Sequence, residues 1–298
     1  MDIESLKFFI EILIGGLAIG SVYALIALGF VIIYKATSVV NFAQGELMMM
    51  GAYISFALVL QFKIPFIYAF ILTLIFSAGL VVIVEMLVIR PMVGEPAFSV
   101  VMITIGLAII FRALAGIIWT HEEWLFPSEL ANATVSIKGI NIALVHLWTI
   151  LVAMIFLVIF FVFFRFTNLG VGMRATAEDQ DTALLMGIDV KKIFALSWAI
   201  AAVVASVAGI FFANMHVLHP FMGFVGLRAF PAVILGGLDS INGAIIGGLI
   251  IGVIENLSGG YIDPYIQGMK EIIPWIILII VLMVRPYGLF GTKEVERV

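Results

Sequence analysis

The chain has 298 residues, 64% hydrophobic and 11% charged, with a net charge of −4 and no cysteine; its mean hydropathy is +1.25. A water-soluble domain carries roughly a quarter charged residues, so no soluble shape of this size hides so much apolar surface, and the bilayer is the expected solvent. The lack of Cys excludes a disulfide framework and thiolate chemistry, and no nucleic-acid partner is expected.

The apolar runs are longer than the roughly 9–11 residues of a barrel strand and do not alternate. They are therefore expected to be helices, because lipid requires every backbone donor to be satisfied internally. The expected class is all-α: a polytopic membrane protein of eight to ten spans forming one transmembrane domain over 1–298. In chain order, spans are expected at about residues 8–34, 47–61, 65–89, 97–118, 146–164, 193–213, 224–238, 241–257 and 271–284. The opening MDIESLKFFIEILIGG places acids before its apolar run, so it reads as the first span or its approach rather than a removed signal. The second, seventh and eighth spans are short for a hydrocarbon core, which suggests broken or re-entrant segments packed inside protein or lining a cavity.

Two stretches are rich in glycine, Val39–Phe56 and Phe230–Asn256. In the second, Gly243, Gly247, Gly248 and Gly252 recur at spacings near four, a small-residue face for close helix contact. The run Gly236-Gly237-Leu238-Asp239-Ser240 reads as a tight turn between two spans.

A polar island interrupts the apolar sequence from Arg165 to Lys192. It holds eight of the chain's charged residues, which comprise 15 Lys and Arg and 19 Asp and Glu. With the island inside, Lys35, Arg90, Arg165, Arg174, Lys191, Lys192, Arg285, Lys293 and Arg297 share one side. Lys7, Lys63, Lys138 and Lys270 share the other. This asymmetry favours a cytoplasmic island and C-terminus with an external N-terminus. The segment His121–Lys138 is then external, with Trp119 and Trp124 as interface anchors.

Within the island, Asp179–Met186 is expected to be helical, with Gly187 at the C-terminal cap. Thr176 and Asp179 resemble a capping box with Asp in the usual Glu position. Glu178, Asp179 and Asp181 suit the positive end of the helix dipole. Ala183, Leu184 and Leu185 provide an apolar edge that is able to enter a groove on a soluble partner. An ordinary solvated loop is the competing reading.

Three stretches together resemble a known family: VVNFAQGELMMMGAY (Val39–Tyr53), GVGMRATAEDQDTALLMGIDVKKI (Gly170–Ile193) and GGLDSINGAIIGGLIIGVIEN (Gly236–Asn256). They resemble the permease subunits of bacterial ABC importers for branched-chain, hydrophobic amino acids, the LivH type, over essentially the whole chain. The resemblance implies that Arg174, Ala175, Asp181, Ala183, Gly187, Ile188 and Lys191 belong to the loop that docks an ATP-binding subunit. Phe230-Pro231 departs from the family's expected Phe–aliphatic pair. The implied assembly contains a second homologous permease, two ATP-binding subunits and a periplasmic or extracellular substrate-binding protein. ATP and Mg are implied in the ATPases, and no cofactor is expected in this chain. Consistent with that division, the chain has no G-x-x-x-x-G-K-[ST] loop, so it is expected to be a transport subunit rather than an enzyme.

Several polar residues fall within apolar runs. Asn41, Gln44 and Glu46 flank Gly45 at the start of the second span. With Gly51 and Tyr53 they are candidates to line a pathway through a broken helix; a cytoplasmic elbow that caps the helix is the alternative. Glu85, Arg112, Arg228 and Glu255 are intramembrane charges. Glu85 and Arg112 differ in depth by more than about 10 Å and are not expected to pair. Arg112–Glu255 or Arg228–Glu255 is a possible ion pair in the outer half, and snorkelling to the headgroups competes with it. Met48, Met49 and Met50 lack neighbouring His or Cys, and His216 and His219 lack a third ligand, so no metal site is expected.

Two other classes compete. A stand-alone secondary transporter or channel needs ionisable residues at mid-membrane for coupling, and few are expected there. An intramembrane protease needs a Ser–His or paired-Asp constellation, and no G-x-S-x-G occurs. An ABC permease for a small amide such as urea is a third alternative, within the same class.

Overall fold

A computed structural model describes residues 3–92, 95–127, 133–137 and 139–292. Helix α1 (Ile3–Thr37) is followed by an irregular return and α2 (Gln44–Leu60). Helix α3 (Phe66–Val84) continues through a π turn at Glu85–Ile89 and a 3-10 turn at Arg90–Met92, and α4 covers Ala97–Trp119. Strands β1 (Thr134–Ile137) and β2 (Ile140–Ala143) form an antiparallel hairpin that pairs Thr134 with Ala143. Helices α5 (Leu144–Phe166), α6 (Asn168–Glu178), α7 (Gln180–Leu185) and α8 (Val190–Met215) follow. A 3-10 turn at Pro220–Gly223, then α9 (Phe224–Arg228) and α10 (Phe230–Gly236), lead to α11 (Ile241–Tyr261) and α12 (Met269–Val284).

The all-α reading holds, and six of these helices are long and apolar enough to cross a bilayer. The second span is short as expected. The seventh is broken into the 3-10 turn, α9 and α10, with Pro231 in the first turn of α10, where its missing N–H costs nothing. The eighth is not short: α11 has 21 residues. Its glycines are a packing face rather than a break. Gly248 and Gly252 lie on Ala24 and Gly20 of α1, while Gly243 and Gly247 lie on Gly236 and Ala232 of α10. The central element is α1, which is apolar all round and buried at nearly every residue from Gly15 to Ile33, as a helix enclosed by others should be.

The molecule has two polar ends. At the island end, the Gln180 side-chain amide donates to the carbonyl of Ala36 (3.2 Å) and Lys35 donates to the carbonyl of Asp239 (2.8 Å). At the far end, Trp124 bridges Leu218, and the backbone N–H of Asn141 donates to Glu11 (2.7 Å). Lys35, Arg90, Arg165, Arg174, Lys191, Lys192 and Arg285 gather at the island end, and Lys7, Lys63 and Lys270 at the other. Lys138, Lys293 and Arg297 lie outside the described residues. Trp119 and Trp124 are not free interface anchors. Trp119 stacks on Tyr53 (centroids 4.9 Å apart), and the Trp124 indole N–H donates to the carbonyl of Trp119 (3.1 Å).

The two halves run in opposite senses. In the first, α1 arrives at the island end, residues 38–43 turn back, and the short α2 precedes α3. In the second, α8 leaves the island end, residues 216–219 turn back, and the short α9 and α10 precede α11. The two returns meet where Gly45 packs against Gly223 and Gly226.

Candidate functional site

The island is built by a series of caps. Thr167 caps α6: its hydroxyl accepts from the N–H of Gly170 (3.0 Å) and donates to the carbonyl of Phe163 (2.7 Å). Arg174 reaches back to donate to the carbonyl of Phe164 and lies over that ring (5.4 Å), so it fastens α6 to α5. Ala175 sits one turn before the end of α6, and its carbonyl accepts from the N–H of Asp179 (3.1 Å).

The helix start differs from the capping box expected from sequence. Thr176 is buried inside α6, and Asp179 itself caps α7 by accepting from the N–H of Thr182 (2.7 Å). That bond holds the Asp179 carboxyl below its ordinary range, and the hydrogen bond from the Lys192 side chain, with the Lys192 N–H, does the same for Asp189, the cap of α8. For a lowered carboxyl pKa the stabilisation is complete above the ordinary value and lost only as pH falls through the lowered one. Both caps are therefore charged at neutral pH.

Gly187 ends α7 at φ 82°, the left-handed conformation that favours glycine at this cap. The N–H of Ile188 donates to the carbonyl of Ala183 (3.0 Å). Ala183 is buried, whereas Asp181 and Lys191 are exposed. The apolar edge expected from sequence is therefore shifted by one residue: Leu184, Leu185 and Met186 are 62%, 87% and 78% exposed. Met186 and Gln180, the tie to α1, were not singled out by the sequence reading. Nothing lies within reach of a Cβ on Gly187, so Gly187→Val acts through backbone strain of about 1–2 kcal/mol. The expected outcome is normal membrane insertion with faster backbone hydrogen exchange across α7 and its cap, measured on the purified protein.

The second feature is the crossing of the two returns. The Gln44 amide donates to the carbonyl of Ala201 (3.2 Å), about 16 Å along α8 from the island end. Gly29 of α1 leaves the space that Gln44 fills. The N–H of Phe42 donates to the hydroxyl of Thr104 (3.2 Å), about 10 Å along α4. These depths make α2 a helix that begins inside the bundle, and a cytoplasmic elbow does not fit them. Asn41 accepts from the N–H of Ala43 (3.0 Å) and donates to the Gln44 side chain (3.4 Å). Gly51 packs on Ser206, and Tyr53 is fully buried beneath Trp119.

The intramembrane charges have partners other than those expected. Arg112 pairs with Glu46, not Glu255. Arg228 pairs with Glu271 (3.0 Å), and Glu255 accepts from the hydroxyl of Tyr23 (2.7 Å). Glu85 is bound through two hydrogen bonds by Arg90 (3.2 and 2.7 Å) across the π turn. Sequence spacing could not show the first pair, because Glu46 and Arg112 lie on different helices. His216 stacks on Phe212 (4.4 Å), and His219 accepts from the N–H of Phe221 (3.1 Å). Both serve the turn into α9.

A multi-pass helical bundle with helices interrupted at depth and a polar segment at one end is an architecture that membrane transport components use. The family profile for "Branched-chain amino acid transport system / permease component" matches residues 12–282, and the chain belongs to this family. It is 33% identical to the LivH permease protein of Escherichia coli K12 and to that of Salmonella typhimurium, covering 99% of each chain. Identity to the BraD permease protein of Pseudomonas aeruginosa is 32%, over 97% of this chain and 98% of that one. All three carry the description high-affinity branched-chain amino acid transport system permease protein. The fold is shared with a chain of PsaBC from Streptococcus pneumoniae, solved in complex with Fab. There the TM-score is 0.52 at 14% identity, over 94% of this chain and 92% of that one. The protein is thus a multi-pass membrane permease component, a transport subunit rather than a member of an enzyme family.

Proposed function

We propose that the chain is one permease domain of an ATP-driven importer and carries branched-chain, hydrophobic amino acids into the cytoplasm. It works beside a second homologous permease. Two ATP-binding subunits, holding ATP and Mg, dock on the lever at 165–192, and a periplasmic or extracellular binding protein delivers the substrate at the far end. The observation that carries this reading is the exposed tip Leu184-Leu185-Met186, braced by capped helix ends and by Gln180 on α1. Three large apolar side chains held out at the basic end of a membrane bundle suit a groove on a soluble partner. Arg174 and Gly187 shape the lever, and Ala183 and Ile188 anchor it. Asp181 and Lys191 present charge beside the tip. The relatives' descriptions supply the substrate class.

The test is reconstitution of the assembled complex in liposomes with labelled leucine. ATP-dependent uptake that requires the binding protein is expected. Uptake by this chain alone, driven by an ion gradient, would instead establish a secondary transporter.

A further inference from the structure

We propose that the Arg112–Glu46 pair, floored by Phe224, is the point on the translocation surface where a zwitterionic amino acid exchanges its charges with the protein. This rests on the transport reading above and assigns the groups that recognise the substrate's backbone.

The argument starts from depth. Arg112 lies about 22 Å along α4, with about 10 Å remaining to Trp119, so neither end of the helix is close. A charge at that depth is costly against lipid and belongs in protein or beside water. Glu46 is nearly enclosed, its side chain 4% exposed, whereas the Arg112 side chain is 24% exposed. The pair is therefore open on its cationic side. Arg112 uses one terminal nitrogen on Glu46, its Nε is buried without a partner among the described residues, and the open part of the fork is therefore its terminal nitrogens. A guanidinium presents its donors in a planar fork that matches a carboxylate, so the terminal N–H groups not held by Glu46 remain able to donate.

The surroundings fit the rest of the ligand. The guanidinium stands 4.2 Å above the centroid of Phe224, and Phe221 lies parallel to that ring (3°, 6.3 Å). Both rings are about half exposed, which gives an apolar side chain a surface beside the charges. One helical turn beyond Phe224, Arg228 meets Glu271, and this second pair is 40% and 64% exposed. Two open ion pairs on one face are costly against lipid and suit a surface that meets water. Each pair is neutral overall, so a lone cation or anion gains nothing from displacing it. A zwitterion can exchange places: its carboxylate takes the guanidinium, and its ammonium takes Glu46. Gly223, which has no side chain, leaves room for the Glu46 carboxylate.

A pair that serves only to hold α2 against α4 makes a different prediction from a pair that handles substrate. Removing both charges at once, with Arg112→Gln and Glu46→Gln together, leaves neither partner buried alone. The double variant is expected to assemble and to keep the ATP hydrolysis stimulated by the binding protein, while leucine uptake falls roughly tenfold or more. Uptake recovering along with assembly would overturn the proposal. A second measurement does not depend on that variant. The chain has no cysteine, so Phe221→Cys places a unique thiol in it. A charged, water-soluble thiol reagent is expected to label this variant in the complex, and leucine delivered by the binding protein is expected to slow the labelling. Labelling by a membrane-soluble reagent only would show a face covered by lipid or by the second permease and would overturn the proposal. If the parent complex moves no leucine, the transport reading itself fails, and the labelling still reports whether this face holds water.

Discussion

Gly45→Val is expected to abolish recovery of folded, monodisperse permease while leaving synthesis and targeting unchanged. At this position a Cβ overlaps the carbonyl oxygen of Gly223 and comes within 3.0 Å of the Gly226 backbone. Those atoms are main chain and have no rotamer to yield. Overpacking a well-filled core costs about 1–3 kcal/mol, and more where backbones must separate. Here the two displaced backbones are the starts of α2 and α9, where the halves of the chain cross. Separating them also moves Glu46 away from Arg112 and Gln44 away from Ala201. The control is Gly79→Ala on α3, where an added Cβ meets nothing within 4 Å; replacing a helical glycine there is expected to be neutral or stabilising by up to about 1 kcal/mol. Size-exclusion profiles and thermal unfolding of the two purified variants measure the contrast. Equal behaviour would remove the crossing from the account.

Leu185→Glu is expected to act at the island end and in the opposite manner, leaving a stable permease that no longer responds to ATP. Leu185 is 87% exposed, so the substitution removes no contact within this chain. In the docked complex the same side chain is proposed to fill a groove, and burying a leucine contributes about 1.5–3 kcal/mol. Introducing a carboxylate there adds a desolvation penalty on top of that loss. Binding-protein-stimulated ATP hydrolysis is expected to fall to its unstimulated level. Uptake should fall by roughly tenfold or more, the effect of a hot-spot residue worth at least about 2 kcal/mol. Unchanged stimulation would return the tip to an ordinary solvated loop.

These two positions also show what the sequence makes legible. The island stands out because its charge density departs so far from its flanks, and Gly187 is readable as a cap because a glycine after a helical run has few other uses. Helix α1 is equally plain, since no other arrangement satisfies so long an apolar run in lipid. The glycines of α11 were harder to read. Closely spaced small residues mark either a break or a contact face, and only the positions of α1 and α10 decide between them. Asp179 was readable as a residue of the first helical turn but not as the cap, because Thr176 offered a competing start one turn earlier.

The hairpin at Thr134–Ala143 is signalled in the sequence only by Gly139 between two short alternating runs. The charge pairs were the least accessible. Arg112 meets a glutamate on another helix, and Glu255 is met by a tyrosine hydroxyl rather than an arginine. Such long-range pairings follow from how the two halves cross, which a single sequence read locally does not contain. The depth of Glu46 is illegible for the same reason, since it depends on where the return after α1 stops.

The central claim is that a membrane pathway is worked through the tip of α7 by an ATP-hydrolysing partner. Its most direct test is proximity. With Leu185→Cys as the one thiol of this chain, a short bifunctional crosslinker applied to the assembled complex should join it to the ATP-binding subunit, from the cytoplasmic side only. Crosslinking that never reaches that subunit, or modification of this thiol by an impermeant reagent applied outside intact cells, would contradict the account.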